Sequence, residues 1–183
     1  MTTQRKAFHC STKLVSFRRK ALALSISMAM TGGAYANPSG LSVVAGQATV
    51  QHLGDVMKIT NTPGAILNWN QFSIGKGETV QFLQQNAASE VFNRVTGGDM
   101  SVIMGTLQSN ALVYLINSAG VFIGQGAVID TAGFLASAVS ASDSDLLKRH
   151  LKFGGDGASA GSVINRGSIR AHSGGSVVLI APS

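Results

Sequence analysis

The chain has 183 residues and a formal net charge of +6, and its 14 Lys and Arg residues are unevenly distributed. Six of them lie within residues 1–36, which contain no acidic residue, so residues 37–183 carry eight basic and eight acidic side chains. A nucleic-acid-binding domain needs a basic face on its folded part. The neutral remainder argues against that class of protein.

Charged residues make up only 12% of the chain, against roughly 25% in ordinary globular proteins, and glycine is abundant at 22 residues. No apolar run reaches the ~18 residues of a transmembrane helix. Short runs of Val, Ile and Leu that alternate with glycine-containing turns predict an all-β protein.

The first 36 residues have the features of a secretory signal peptide. A basic segment, Met1–Lys20, precedes the uncharged apolar stretch Ala21–Met30, and Ala34 and Ala36 are the small residues of a cleavage site. We therefore expect cleavage after Ala36 and export by the general secretory route. The single cysteine, Cys10, lies before the apolar stretch, so the exported part has no disulfide to stabilise it.

Residues 37–183 consist of short apolar runs, such as Val80–Leu83 and Leu112–Ile116, separated by turn sequences. One of these, Thr62-Pro63-Gly64, suits a type II turn because Pro presets φ and Gly accepts a positive φ. Short, closely spaced strands with little helix between them fit either an antiparallel sandwich or a parallel β-helix.

A loose internal recurrence favours the parallel β-helix. Val128–Asp130 followed by Gly133 is similar to Val163–Asn165 followed by Gly167, with a period of 35 residues. In a solenoid of this kind each coil buries its apolar residues against the next coil.

One segment departs from the strand pattern. Ser142–Lys152 is predicted to be a short helix with Ser142 as its N-cap, with Leu147 and Leu151 on one face, and with an end at Gly154-Gly155. Its basic cluster, Lys148–Lys152, is interpreted as a complement to the helix dipole. The alternative interpretation is a docking patch for an anionic partner.

The sequence shows no catalytic constellation. The three histidines outside the signal segment, His52, His150 and His172, have no partner at metal-ligand spacing, and neither a G-x-S-x-G motif nor a P-loop is present. We therefore expect no enzyme activity, no metal and no cofactor. A β-helix polysaccharide lyase remains the enzymatic alternative.

The segment Gly40–Val50 resembles the beginning of the two-partner secretion domain found in filamentous haemagglutinin and high-molecular-weight adhesins. The resemblance continues in the same order through four further motifs and covers Asn37–Ser183. These motifs are Ile66–Ile74, Val80–Gln84, Val91–Thr96 and Val113–Asn117.

The resemblance implies a right-handed parallel β-helix with an N-terminal β cap, small extra-helical strands and one short helix. It also implies that the chain is the secretion domain of an exoprotein from a Gram-negative bacterium. A dedicated outer-membrane transporter recognises such a domain in the periplasm through its polypeptide-transport-associated domains. The exoprotein then crosses largely unfolded and is released or stays at the cell surface.

The resemblance also points to a candidate recognition turn at Asn117-Ser118-Ala119-Gly120. The family typically has N-P-N-G at this place, so this chain keeps the first Asn and the Gly and differs at the two middle positions. The retained pair can still make a turn, since Asn bonds its own backbone and Gly accepts a positive φ. The family's second tetrapeptide, N-P-N-L, has no match.

The expected function is that of a secretion domain that nucleates β-helix folding of a surface adhesin or haemagglutinin. The alternative is the leader of a two-partner-secreted cytolysin or contact-dependent inhibition toxin. Apolar strands continue up to Ser183, so we expect the chain to be the N-terminal part of a longer exoprotein. Regions beyond it are expected to contact host-cell glycans or proteins.

Overall fold

The structure, a computed structural model, describes residues 37–154 and 161–182. The predicted signal peptide, with Ala34 and Ala36, lies outside the described residues. The described residues contain fifteen strands and one helix, in the order β1 (Ser42–Ala45), β2 (Ala48–Leu53), β3 (Val56–Asn61), β4 (Ala65–Trp69), β5 (Thr79–Leu83), β6 (Glu90–Val95), β7 (Ser101–Ile103), β8 (Thr106–Ser109), β9 (Leu112–Ile116), β10 (Val121–Ile123), β11 (Val128–Thr131), β12 (Gly133–Ser137), α1 (Asp143–Leu147), β13 (Val163–Asn165), β14 (Ser168–Ala171) and β15 (Val177–Ile180).

These strands form the three faces of a parallel β-helix. Sheet I has the order β1-β4-β6-β9-β12-β15, sheet II the order β14-β11-β8-β5-β3-β2, and sheet III the order β13-β10-β7. The later coils contribute one strand to each face in turn, the first coil reaches sheet III only through the isolated Ile74–Ile103 bridge, and successive coils pair in parallel. This arrangement confirms the β-helix and excludes the antiparallel sandwich.

The expected N-terminal cap is formed by β1 and β2. These two strands pair antiparallel with β4 and β3, respectively, whereas the other strand pairs are parallel. The cap therefore covers the backbone edges that the first coil presents in sheets I and II. An edge covered in this way cannot pair with another chain.

The recurrence of 35 residues that was read from the sequence aligned the wrong strands. Val163 lies opposite Val121, and Val128 lies opposite Ser168. The prediction was wrong because Val, Ile and Leu are interchangeable at inward positions, so strands of different faces have similar sequences.

The core is a stack of inward side chains from successive coils. One stack in sheet II joins Val80, Leu107 and Ile129, all fully buried and in register. Burying each such side chain contributes about 1.5–3 kcal/mol to the stability of the folded domain.

The predicted type II turn is present at one corner of the coil. Gly64 has a φ of 72°, and the Ala65 N–H donates to Thr62 O at 3.2 Å, as this turn requires.

The helix is shorter than predicted and exposes the two leucines that were expected to pack. Ser142 is the N-cap, and its hydroxyl accepts from the Asp145 N–H, but the helix ends at Leu147. The side chain that packs is Leu146, which is 1% exposed, whereas Leu147 is 60% and Leu151 44% exposed.

The reason for the early end is a Schellman motif. Arg149 has a φ of 56°, its N–H donates to Leu146 O, and the His150 N–H donates to Asp145 O at 2.8 Å. The basic cluster therefore follows the helix, whose last turn has no basic residue. The cluster begins at the C-cap residue, Lys148, so its helix-dipole interpretation stays a prediction.

Residues 138–154, here called the α1 segment, lie on the outside of sheet I. Leu146 packs against an apolar row on that face formed by Ile66, Phe92, Tyr114 and Leu135. Arg94 pairs with Asp143, and Arg149 Nε lies 2.9 Å from Glu90 Oε1. No helix among the described residues is long and apolar enough to cross a membrane.

Candidate functional site

The candidate recognition turn lies between β9 and β10, where the chain passes from sheet I to sheet III. Asn117 is fully buried, and its Nδ2 donates to Asp99 O and to Ser101 Oγ, both at 3.0 Å. Its Oδ1 accepts from the Ala119 N–H at 2.9 Å. The Asn117 side chain therefore closes its own turn and also holds the preceding coil.

The next coil packs on the other side of the same turn. The Gly161 N–H donates to Ser118 O at 3.1 Å, and the Val121 N–H donates to Ser162 O at 2.9 Å. Gly120 has a φ of 113°. A Cβ on Gly161 would lie 2.4 Å from the Gly120 N, so a side chain at position 161 would force the two coils apart.

The four residues of the turn differ in what they present to solvent. Asn117 and Gly120 are buried, Ala119 is half-buried and Ser118 is exposed. The two positions that keep the family pattern thus have structural contacts in the folded domain. Ser118 and, in part, Ala119, the two positions at which this chain departs from the pattern, are the accessible residues of the turn.

The second candidate surface is the edge of the last coil. β13, β14 and β15 each end one of the three sheets, and no strand of the described residues pairs with their outer edges. Ile164, Val177, Val178 and Leu179 on these strands are each 39–43% exposed. At the N-terminal end, the outer edges of β1 and β2 likewise have no partner strand among the described residues, and Val43 and Val44 are 40–41% exposed, but these two strands run antiparallel to their neighbours.

The free backbone groups of β15 can be assigned from the hydrogen bonds of its neighbour. Ser176 O accepts from the Phe134 N–H at 3.0 Å, and Ile180 O accepts from the Ala138 N–H at 2.8 Å. Because alternate residues of a parallel strand direct their N–H and C=O to opposite sides, Val177 and Leu179 direct theirs to the open edge.

Sequence reasoning missed three polar residues that join neighbouring coils, of which Asn61 and Gln84 are buried. Gln84 Nε2 donates to Leu112 O at 3.1 Å, the Gln84 N–H donates to Asn110 Oδ1 at 2.9 Å, and Asn61 Nδ2 donates to Gln84 Oε1 at 3.3 Å. Each lies within two residues of the C-terminal end of a strand of sheet II. The sequence signal that could have revealed them is the recurrence of Asn or Gln directly at the end of successive apolar strands.

Among the described titratable residues, side-chain ion pairs join Arg94 to Asp143, Arg149 to Glu90 and His172 to Asp130. No group of three or more His, Cys, Asp or Glu side chains in the part of the chain that the structure describes could hold a metal ion. His172 Nε2 lies 2.9 Å from Asp130 Oδ1, and both side chains are about half exposed. The other two histidines of the described residues, His52 and His150, are exposed.

The comparisons with known proteins identify the class to which this fold and this turn belong. The family model "TPS secretion domain" matches residues 34–183. The chain therefore belongs to the two-partner secretion (TPS) domain family. This is a family of secretion domains rather than of catalysts, and membership implies a cognate outer-membrane transporter as partner.

Among solved structures, the fold is similar to the HMW1 secretion domain of Haemophilus influenzae. The TM-score is 0.77 with 42% sequence identity, over 79% of this chain and 39% of that one. Two curated relatives, both heme/hemopexin-binding proteins of Haemophilus influenzae, are 42% and 37% identical over 126 and 127 residues. These matches cover 66% of this chain but only 14% of either relative.

Proposed function

We propose that this domain is bound in the periplasm by the polypeptide-transport-associated domains of its transporter, and that it then nucleates the folding of the exoprotein. The observation that carries the proposal is the difference between the two ends of the solenoid. The N-terminal end finishes in two antiparallel strands, β1 and β2, whereas the last described coil finishes in three strands that run parallel to the coil before it. A further parallel coil therefore continues the direction of an existing end strand only at the C-terminal end.

Nucleation is physically reasonable because the costly step is already complete in this domain. Closing the first coils costs chain entropy before their contacts form. Each later coil stacks on an existing edge and gains both parallel hydrogen bonds and apolar burial. The exposed Val177 and Leu179 supply the inward side chains on which such a coil would pack.

The test of nucleation compares two substitutions at one position in the full exoprotein. Val177→Pro removes a backbone donor that faces the open edge, whereas Val177→Ala shortens the same side chain and keeps the donor. We expect both proteins to be exported, with the regions after residue 183 protease-sensitive only in the proline variant. Equal protease resistance of the two variants would overturn nucleation at this edge.

For the transporter, we propose that Ser118 and Ala119 are the contacted part of the turn. Their support is their exposure, in contrast to the buried Asn117 and Gly120. The variant Ser118→Arg tests this, with Gln125→Arg in the exposed turn of the following corner as its matched control. We expect reduced export for Ser118→Arg only, with the urea midpoint of both purified proteins unchanged. Normal export of Ser118→Arg would contradict the proposal.

Export itself begins at the inner membrane, and we propose cleavage after Ala36 followed by transit of the periplasm. Mass spectrometry of the exported protein is expected to show Asn37 as the first residue. Ala36→Asp should block processing because the site requires a small side chain at that position. An exported protein that retains residues before Asn37 would place the cleavage site elsewhere.

The activity of the whole exoprotein is a separate proposal, with two candidates. The motif resemblance to filamentous haemagglutinin and high-molecular-weight adhesins supports an adhesin or haemagglutinin, and 42% identity to a heme/hemopexin-binding protein supports heme or hemopexin binding. Heme-agarose and hemopexin capture, run beside erythrocyte agglutination with the full exoprotein, separates the two. Membrane lysis or growth inhibition of neighbouring cells would instead favour the cytolysin or inhibition toxin.

A further inference from the structure

The outer face of sheet II carries a column of polar side chains in register along the solenoid axis. Successive strands place Gln81 opposite Gln108, Gln108 opposite Asp130, and Asp130 opposite Arg170, with Lys58 opposite Gln81 at the other end. A second column beside it contains the hydroxyls of Thr79 and Thr106. This face therefore presents hydrogen-bonding groups at the spacing of the strands.

The amides of this column are not used by the fold. Within the described residues, neither Gln81 nor Gln108 has a side-chain hydrogen bond, although the two are adjacent. The contrast is Gln84, whose buried amide bonds to three neighbours. An amide ladder that stabilises the coils would show bonds between Gln81 and Gln108, so this column has its donors and acceptors available.

The column also lines a depression in the surface, of about 230 Å³. Gln81, Leu83, Gln108, Asn110, Asp130 and His172 line it. At the end nearer the last coil, the His172–Asp130 pair at 2.9 Å forms a polar border. The depression thus combines neutral amides, one carboxylate, one imidazole and one aliphatic side chain.

The spacing of these groups distinguishes between the extended polymers that could lie in the depression. Neighbouring parallel strands are about 4.8 Å apart, which is close to the length of one ring in an extended β-linked glycan. An extended peptide advances only about 3.3 Å per residue. Its backbone hydrogen-bonding groups therefore do not repeat at the spacing of the coils. A flexible polyanion would be repelled by Asp130 and favours a basic stripe.

We propose that sheet II binds a linear β-linked glycan that runs along the solenoid axis, with about one sugar ring per coil. Gln81 and Gln108 bond to the hydroxyl or acetamido groups of successive rings. The Asp130–His172 pair bonds to the next ring, and Leu83 contacts an apolar ring face. This is a binding site on the secretion domain itself, and it involves no bond cleavage.

The experiment uses the chain purified after export, labelled with ¹⁵N, and follows the side-chain amide signals of Gln81 and Gln108. The probes are chitohexaose, which is β-linked and extended, and maltohexaose, whose α-linkages curl the chain. We expect saturable shifts of both signals with chitohexaose and none with maltohexaose. Equal shifts with both sugars, or no shift with chitohexaose at millimolar concentration, would overturn the proposal.

A variant pair then locates the site. Gln81→Ala with Gln108→Ala is expected to weaken chitohexaose binding about tenfold, because the hydrogen bonds of both amides to the sugar are lost. Gln125→Ala, an exposed glutamine in a turn outside the column, should bind as the unsubstituted protein does. All three proteins should unfold at the same urea midpoint, since these side chains make no hydrogen bond within the described residues.

Two further outcomes would reject the proposal. If the double variant keeps full affinity, the sugar is bound elsewhere on the chain. If heparin, a polyanion, shifts the Lys58 and Arg170 signals and displaces chitohexaose, the face recognises charge rather than the glycan spacing. Both results are distinguishable from a failure of secretion, because the assay involves neither the transporter nor the downstream exoprotein.

Discussion

The indole Nε1 of Trp69 donates a hydrogen bond of 3.0 Å to Oδ1 of Asn93, and both side chains are almost completely buried. Asn93 in turn donates from Nδ2 to Tyr114 O at 3.2 Å. Three successive coils are thus joined through one inward polar side chain in an apolar stack. A buried polar group is tolerated in such a place only when its hydrogen bonds are made.

Replacing Asn93 should therefore be costly. Asn93→Leu fills similar space but leaves the Trp69 N–H without an acceptor, and we expect a loss of about 1–3 kcal/mol in the free energy of unfolding. Urea unfolding of the exported chain measures it. The double variant Asn93→Leu with Trp69→Phe removes both partners and should recover part of the loss. No recovery would show that packing, rather than the unpaired N–H, sets the cost.

The α1 segment offers a comparison of two adjacent leucines. Leu146→Ala should destabilise the domain by about 2–5 kcal/mol, because a buried methyl-rich side chain leaves a cavity over Phe92 and Tyr114. Leu147→Ala, at a position 60% exposed, should change stability by about 0.5 kcal/mol or less. If Leu147→Ala destabilised the domain more than Leu146→Ala, the packed helix face would be the one predicted from the sequence.

Gly161 tests the contact between the recognition turn and the coil that follows it. Gly161→Ala places a Cβ 2.4 Å from the Gly120 N and 2.5 Å from Ser118 O. Backbone atoms on both sides must move, so we expect a loss of more than about 1 kcal/mol. Gly98→Ala, where the added Cβ meets nothing within 4 Å, is the matched control. Equal urea midpoints for the two variants would mean that the coils separate without cost.

Tyr114 should make the stability fall at alkaline pH. Burial raises the pKa of its hydroxyl above the usual 10.0, the nearby Glu90 carboxylate raises it further, and Arg149 opposes the shift. Above pH 10 the unfolded chain loses this proton before the folded one, so the free energy of unfolding is full below pH 10 and declines as pH rises towards the folded pKa.

The measurement is urea unfolding between pH 8 and pH 11, with Tyr114→Phe as the control. In the phenylalanine variant, the free energy of unfolding should decline less between pH 10 and pH 11, because the ionisation of Tyr114 no longer contributes. Tyrosinate absorbance gives an independent reading, since the other tyrosine, Tyr35, lies in the predicted signal peptide. If the free energy of unfolding of Tyr114→Phe declined as steeply at alkaline pH, groups other than Tyr114 would cause the decline.

Much of the fold was accessible from the sequence because it depends on repeated local patterns. Short apolar runs with glycine turns predicted an all-β solenoid, and Thr62-Pro63-Gly64 predicted its own turn conformation. The capping of α1 by Ser142 was also predictable, since the N-cap bond spans only three residues. These features are decided by residues that are neighbours along the chain.

The candidate site was only half predictable. The position of the turn at Asn117–Gly120 followed from motif resemblance, but the burial of Asn117 and the exposure of Ser118 depend on Asp99, Ser101 and Gly161 in the coils on either side. Contacts of this kind join residues far apart in sequence. Inward apolar residues do not specify which coil they will meet.

The sequence by itself determined the class of the protein, the neutral charge of its folded part and the segment expected to be cleaved, because composition and motif order carry that information. Only the tertiary structure decided the register of the coils, the face on which Leu146 packs, the open edge at Val177–Ile180 and the free amides of Gln81 and Gln108. The physical reason is that stacking between coils buries whichever side chains the register brings together, and that register is a property of the whole solenoid.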